Sequence, residues 1–298
     1  MSDFRLKVFV SAAKHLSFTK ASQELFISQP AITKHIQELE TQYKSRLFER
    51  MGHTITLTTA GTLLLKHCES ILELYERLDY EMNLLHNEYT GELRLGASTT
   101  IAQYVLSPFL AQFNQKFPLI TLSLMNGNSV DIEKALQERH IDLGLVEGPN
   151  HLLNLRYTPF LDDELVAVVS TKSALAKMDT ISLQQLQQIP LILRENGSGT
   201  LEIFKNALRL HGLKTSDLTI KMQLGSTESI KRFLEHTDCM GIVSIRSIDR
   251  ELYAGTFKVL EIDDLPMPRH FSFIQRQGQE IALSEFFIQF ISNYKKTL

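Results

Sequence analysis

The sequence predicts an α/β protein in three parts: a small helical unit carrying a β-hairpin, one long helix, and two open α/β sheets. Three observations predict it. Short apolar stripes at helical spacing fill the first forty residues, a proline-free 3.5-residue seam runs from Leu64 to Leu85, and strands alternate with helices from Glu92 onward.

In the first part, Leu6, Phe9, Val10 and Ala13 form the inward stripe of one helix, and Phe18, Ala21 and Leu25 that of a second. Phe26-Ile27-Ser28 is a connection of the length that joins a helix-turn-helix pair. The third helix opens at Ser28, a good N-cap, with Pro30 tolerated in its first turn. Ile32, Ile36 and Leu39 recur on its inner face. Gln29, Thr33, Lys34 and Gln37 stay outside, and such side chains hydrogen-bond base edges or phosphate oxygens in a major groove. Leu47–Arg50 and Thr54–Leu57 flank Met51-Gly52-His53 as two short strands, a wing. Residues 1–66 hold nine Lys and Arg against five acids, a balance of +4, which leaves −7 on the rest of a chain whose total is −3. That asymmetry suits an N-terminal unit that meets phosphates.

Residues 1–62 resemble the winged helix-turn-helix of the LysR-type transcriptional regulators. The resemblance lies in Phe9-Val10-Ser11-Ala12-Ala13, Ser17-Phe18-Thr19-Lys20-Ala21-Ser22, Ser28-Gln29-Pro30-Ala31-Ile32-Thr33-Lys34, Leu47-Phe48-Glu49-Arg50 and Leu57-Thr58-Thr59-Ala60-Gly61. It implies base or phosphate contacts from Ser28, Gln29, Pro30, Thr33 and Lys34, and phosphate contacts from Thr19, Lys20, Arg50 and the wing tip. His53 stands at that tip where the family commonly has Arg or Lys, which implies a weaker, pH-sensitive contact.

The long helix is expected from Thr58 or Thr59 toward Tyr89. Leu64, Cys68, Ile71, Tyr75, Leu78, Met82 and Leu85 are spaced alternately four and three residues apart, a seam that wants a partner helix. A homodimer through Leu64, Ile71, Tyr75, Leu78, Met82 and Leu85 would place two reading helices on two half-sites of a pseudo-palindromic double-stranded operator. In the resembled family this is the dimerising linker helix, and a homotetramer is implied.

Beyond it, strands at 92–97, 120–125 and 141–146 alternate with helices at 100–117 and 130–139. Strands at 165–169, 191–193, 220–224, 241–244 and 271–275 follow, before a closing helix at 281–295. This resembles the two-lobed, periplasmic-binding-protein-like (type 2) effector domain of the same family, with crossings between lobes near Asp162-Asp163 and Leu265-Pro266-Met267-Pro268. The expected division is 1–58 for the winged domain, 59–89 for the linker, 91–162 with 267–298 for one lobe, and 163–266 for the other.

Open α/β sheets bind ligands at the carboxyl ends of their strands, where helix N-termini present free N–H groups. Three such turns carry hydroxyls: Ala97-Ser98-Thr99-Thr100, Arg194-Glu195-Asn196-Gly197-Ser198-Gly199-Thr200 and Gly225-Ser226-Thr227-Glu228. Each serves equally well as a helix cap worth about 1 kcal/mol. Their coincidence favours a small anion or carboxylate. The first two turns resemble the effector cleft of the LysR-type regulators of sulfur assimilation and carbon fixation. That resemblance implies an effector held by Ser98, Thr100, Ser198, Thr200 and Thr227, with Thr99 and Glu147 at the rim. Arg194 can pair with Glu195 or Glu147 instead of a ligand, and an ionised, inward-pointing Glu147 would repel an anion.

Composition excludes several classes. Charges at Asp3, Arg5, Lys7, Lys14, Lys20 and Glu24 interrupt any leader, and no run reaches the roughly 18 apolar residues of a membrane span, so a cytoplasmic chain is expected. Cys68 and Cys239 suggest no disulfide framework, and neither His-Glu-x-x-His nor Cys-x-x-Cys occurs, so no metal or other cofactor is expected. An enzyme or a solute receptor on the two-lobed scaffold is the alternative. The N-terminal helix-turn-helix opposes the receptor, and the lack of a Gly-x-Ser-x-Gly word or of a His beside the hydroxyls opposes the enzyme.

Overall fold

The computed structural model describes residues 4–51, 54–85, 89–149, 152–278 and 281–294. It divides after residue 88 into two compact units. In the first, α1 (Phe4–His15), α2 (Phe18–Glu24) and α3 (Gln29–Tyr43) share one core. Leu6, Phe9, Val10, Ala13, Ala21, Ile32, Ile36 and Leu39 are all buried in it, which is the fate that the helical stripes demanded. Ser17 and Ser28 accept from the backbone N–H groups of Lys20 and Ala31, starting α2 and α3. Strands β1 (Phe48–Met51) and β2 (Thr54–Leu57) pair antiparallel, Phe48 facing Leu57. The Phe48 ring meets the Phe18 ring edge-on at 5.3 Å, fastening the hairpin to the helices.

Helix α4 (Thr59–Leu85) begins against the root of this hairpin. The Thr58 hydroxyl donates to the Arg46 carbonyl (2.7 Å) and accepts from the Gly61 N–H (2.9 Å). A Cβ on Gly61 would stand 2.1 Å from the Leu47 carbonyl oxygen, so only glycine fits this first turn. Further along, the expected seam is shared between two environments. Cys68 is buried in the domain's own core, with Leu64, Leu65 and Leu72 packed against it. Ile71, Leu78 and Met82 are exposed together with Leu63 and Leu74, and Tyr75 is half-buried. The Leu85 side chain lies outside the described residues.

The second unit opens with β3 (Gly91–Ser98) and a helical run: α5 (Thr99–Ile101), a wide π turn at Ala102–Leu106, then α6 (Ser107–Lys116). β4 (Ile120–Gly127), α7 (Ser129–Gln137) and β5 (Leu143–Glu147) complete a βαβαβ unit with β4, β3 and β5 parallel. β6 (Leu155–Ser170) follows, then β7 (Thr180–Ile181), α8 (Leu183–Gln188), β8 (Leu191–Arg194), α9 (Gly199–Leu210), β9 (Ile220–Leu224) and α10 (Thr227–Leu234). The chain finishes with β10 (Met240–Ser244), α11 (Asp249–Tyr253), β11 (Phe257–Ile262), β12 (Pro268–Arg276) and α12 (Ala282–Tyr294).

The strand order is β4-β3-β5-β12-β6-β10-β8-β9, with β11 on β6 and β7 on β11. β6 belongs to both halves: residues 155–164 pair with β12, and residues 165–170 pair with β10 and β11. Two lobes result, each with its own core. Ile132, Ala135, Leu136, Ile141 and Ile274 pack in the first, while Leu165, Ala167 and Val169 face one side of the second sheet and Val168 the other. The strand expected at 165–169 is thus only the end of β6. Its earlier half eluded the apolar alternation because Asp162-Asp163-Glu164 interrupts it, and β11 was not anticipated at all.

Candidate effector cleft and DNA-reading helix

Helix α3 hides Ile32, Ile36 and Leu39 and leaves Ser28, Gln29, Pro30, Lys34 and Gln37 exposed. Thr33 is half-buried and bonds back along its own helix, its hydroxyl donating to the Gln29 carbonyl at 3.2 Å. Thr19 and Lys20 are exposed at the start of α2. The Arg50 side chain and the whole of His53 lie outside the described residues. The outward row on α3 holds amide, hydroxyl and ammonium groups with no carboxylate before Glu38, the chemistry that bases and phosphates ask for.

The second unit buries a polar cluster at the carboxyl ends of β3, β5 and β8, beside the two crossing strands. Asp163 on β6 sits opposite Arg269 on β12, and the Arg269 Nε donates to the Asp163 carboxylate at 2.6 Å. Arg269 Nη1 donates to Thr200 Oγ1 (3.0 Å) at the first turn of α9 and stands 3.6 Å from the Glu147 carboxylate. Glu147, ending β5, is 2% exposed and accepts from the Ser98 hydroxyl. Burial pushes its carboxyl above the ordinary carboxylate range, against the opposing pull of Arg269, the Ser98 bond and Arg194. Arg194, fully enclosed at the end of β8, makes two hydrogen bonds to Glu195, at 2.8 and 2.9 Å.

Lobe meets lobe at the start of α9. A Cβ on Gly199 would fall 1.8 Å from the Glu147 carbonyl oxygen, so glycine is what lets α9 of one lobe end-pack on β5 of the other. Four buried donors in this region have no hydrogen-bond partner among the described residues: Arg194 Nη1, Arg269 Nη2, Ser198 Oγ and Thr100 Oγ1. Unsatisfied donors of this kind are costly, and two of them are cationic. Ser198 occupies the N-cap position of α9 yet makes no capping bond, so the simple capping account of that serine does not hold.

The residues singled out in the sequence come together only in part. Ser98, Thr100, Ser198, Thr200 and Thr227 are all buried. Thr99 is buried too and spends its hydroxyl on the Gly127 carbonyl at 3.1 Å. Glu147 is not at a rim; the close approach of α9 to β5 encloses it in the cluster, and Thr99 is likewise inside. Arg269 and Asp163, which join the cluster, are not among the residues singled out in the sequence. Their signal was an arginine in the same strand as the buried Phe271, Phe273 and Ile274, and the acidic run Asp162-Asp163-Glu164 inside another strand, at or next to the two expected crossings.

Beside Thr227, the Glu228 carboxylate accepts from the Tyr104 hydroxyl (2.5 Å) and from Lys231 Nζ (2.7 Å). Burial opposes ionisation of Glu228, but the bonds from Lys231 and Tyr104 outweigh it and hold the carboxyl below its ordinary range. Burial and then Glu228 push the Tyr104 hydroxyl upward. A cavity of about 600 Å³ lies here, lined by Gln103, Tyr104, Ser107, Glu228, Lys231 and Arg246 among others. Among the described residues, no group of three or more His, Cys, Asp or Glu side chains is placed to hold a metal ion, and no helix is long and apolar enough to cross a membrane.

Two family models match the chain: the bacterial regulatory helix-turn-helix of the lysR family over residues 4–62, and the LysR substrate-binding domain over residues 86–295. The HTH-type transcriptional regulator CysL of Bacillus subtilis is 30% identical, the alignment covering 98% of each chain. YeiE of Escherichia coli, an uncharacterised HTH-type transcriptional regulator, is 35% identical over 89% of this chain and 87% of its own. Among solved structures, the Synechocystis CcmR regulatory domain in complex with 2-PG is 28% identical, with a TM-score of 0.64, covering 70% of this chain and 99% of that one.

Proposed function

The chain belongs to the LysR family of transcriptional regulators, and from that premise we propose that it reads operator DNA as a homodimer while a small anion sets its activity from the cleft of the second unit. The observation that carries the ligand half is the set of four unpartnered buried donors: the guanidinium groups of Arg194 at the end of β8 and Arg269 on β12, and the hydroxyls of Ser198 at the start of α9 and Thr100 in the run after β3. They offer what an oxyanion or carboxylate accepts, and the α9 N-terminus adds its own polarity. That the related Synechocystis domain is in complex with 2-PG supports a small ligand in this cleft.

For the DNA half, Gln29, Thr33 and Lys34 would meet base edges or phosphates, with Ser28, Pro30, Thr19, Lys20, Arg50 and His53 around them. Exposed Ile71, Leu78 and Met82 would cover one another across a two-fold axis, setting two copies of α3 on a pseudo-palindromic site in the cytoplasm, with a homotetramer as the larger assembly. The ligand acts only through its different affinity for two arrangements of the lobes. Footprinting of the promoter beside the encoding gene, with and without sulfate, thiosulfate, O-acetylserine and phosphorylated sugars, tests the whole. A protected two-fold site whose extent changes with one of them is expected. No protection at low ionic strength would overturn the DNA half, and protection indifferent to every anion the ligand half.

A further inference from the structure

The carboxylates of the cluster are not evenly paired. Arg194 is matched by Glu195, and Arg269 by Asp163, which also accepts from Ser244 (2.8 Å) and stands 3.7 Å from Arg246 Nε. Glu147 is a third carboxylate without a guanidinium of its own. Ser98 of β3 bonds it, Arg269 of β12 approaches only to 3.6 Å, and Arg194 of β8 and Asp163 of β6 act on it through space with opposite signs. Its side chain lies against the first turn of α9, the Cγ falling 2.8 Å from where a Cβ on Gly199 would stand; its carboxylate accepts from Ser98, and Ser198 and Thr200 flank that glycine in the chain. A ligand that satisfies the free donors therefore comes to rest beside this carboxylate.

Two negative groups brought together away from water repel strongly. An anion that still carries a proton turns the same approach into a short, charge-assisted O–H···O bond. Taking the cluster as the effector site, we propose that Glu147 is its selectivity filter: it admits oxyanions bearing an ionisable proton near neutral pH, such as phosphate, its monoesters and sulfite, and refuses fully ionised sulfate. The proton stays in the bond between ligand oxygen and carboxylate. Sulfate brings none, so it binds only after Glu147 takes one from solution, and its affinity rises as pH falls. The raised position of the Glu147 carboxyl brings that uptake nearer to neutrality.

Calorimetric titration of the full chain with phosphate, sulfite and sulfate, for the native protein and for Glu147→Gln, tests this. Phosphate or sulfite is expected to bind the native protein about tenfold to a hundredfold more tightly than sulfate, the worth of one hydrogen bond to a charged group. Glu147→Gln should close that gap by gaining sulfate. The phosphate and sulfite arms separate a tetrahedral from a smaller pyramidal ligand. Equal affinity of the native protein for sulfate and for the proton-bearing anions would overturn the filter and leave the anion site standing. Failure of all three to bind either protein would overturn the anion site itself. A pH series on the native protein needs no variant: sulfate should gain about tenfold per unit of falling pH while Glu147 is ionised, and a flat line refutes the proposal.

Discussion

Helix α3 and the cluster around Glu147 both present hydroxyl and charged side chains, yet α3 shows them to solvent and the cluster encloses them. On α3 the exposed row contributes nothing to the core, which rests on Ile32, Ile36 and Leu39. In the cluster, Arg269, Asp163, Glu147 and Arg194 are buried, and each holds a neighbour in place. An exposed polar residue can be spent on a partner without cost to the fold, whereas an enclosed one serves fold and ligand together.

The sharpest way to break this contrast is Arg269→Met. It leaves Asp163 without its 2.6 Å partner and Glu147 without its nearest cation, a loss of about 3–5 kcal/mol in denaturant unfolding of the full chain. Lys34→Ala should shift the same curve by less than about 0.5 kcal/mol. Similar shifts for the two would erase the distinction. Next in size is the linker. Replacing exposed Ile71 and Leu78 with Lys buries two ammonium groups in the proposed helix pair, and light scattering should then report the mass of one chain. An unchanged mass would move dimerisation elsewhere, and with it the spacing of the two reading helices. Lys34→Ala should weaken operator binding by an amount that shrinks as salt rises, because the slope of log affinity against log salt falls by about one. An unchanged slope would mean that Lys34 does not face a phosphate.

The same contrast explains what the sequence disclosed. Surface reading on α3 needs only a helix period and a cap, both local, so Ser28, Pro30 and the Ile32, Ile36, Leu39 stripe sufficed to build that face. The cluster depends on pairings between residues far apart in the chain. Asp163 and Arg269 are 106 positions apart and meet only because β6 and β12 run antiparallel in one register, which no local period encodes. Ser98, Ser198 and Thr200 were accessible as turn residues after strands, but whether a turn serine caps or stays free depends on tertiary geometry. Ser98 caps Ile101 and also bonds Glu147; Ser198 does neither. For the linker, spacing defined a seam but not its partner: Cys68 turned inward because the domain's own core reaches that far along α4.

The last of the expected effects lies between the two lobes. Tyr104, on the helical run after β3, donates to Glu228 at the start of α10, and its ring lies 5.2 Å from the ammonium of Lys231. Lys231 in turn reaches the Ser247 carbonyl (2.9 Å) and Glu251 (2.8 Å). Tyr104→Phe keeps the ring and removes one hydrogen bond, so unfolding should lose about 0.5–1.5 kcal/mol. Because the bond joins elements from opposite sides of the cleft, opening the lobes breaks it. The variant should therefore favour the open arrangement and bind the effector anion less tightly, by about tenfold at most, with the salt slope of DNA binding unchanged. Burial and Glu228 keep the Tyr104 hydroxyl protonated well above neutrality, so this loss should be flat with pH near neutrality, unlike the behaviour expected for sulfate beside Glu147. An effect of Tyr104→Phe on stability alone, with anion affinity intact, would place the bond in the packing of the fold and not in the equilibrium between its lobes.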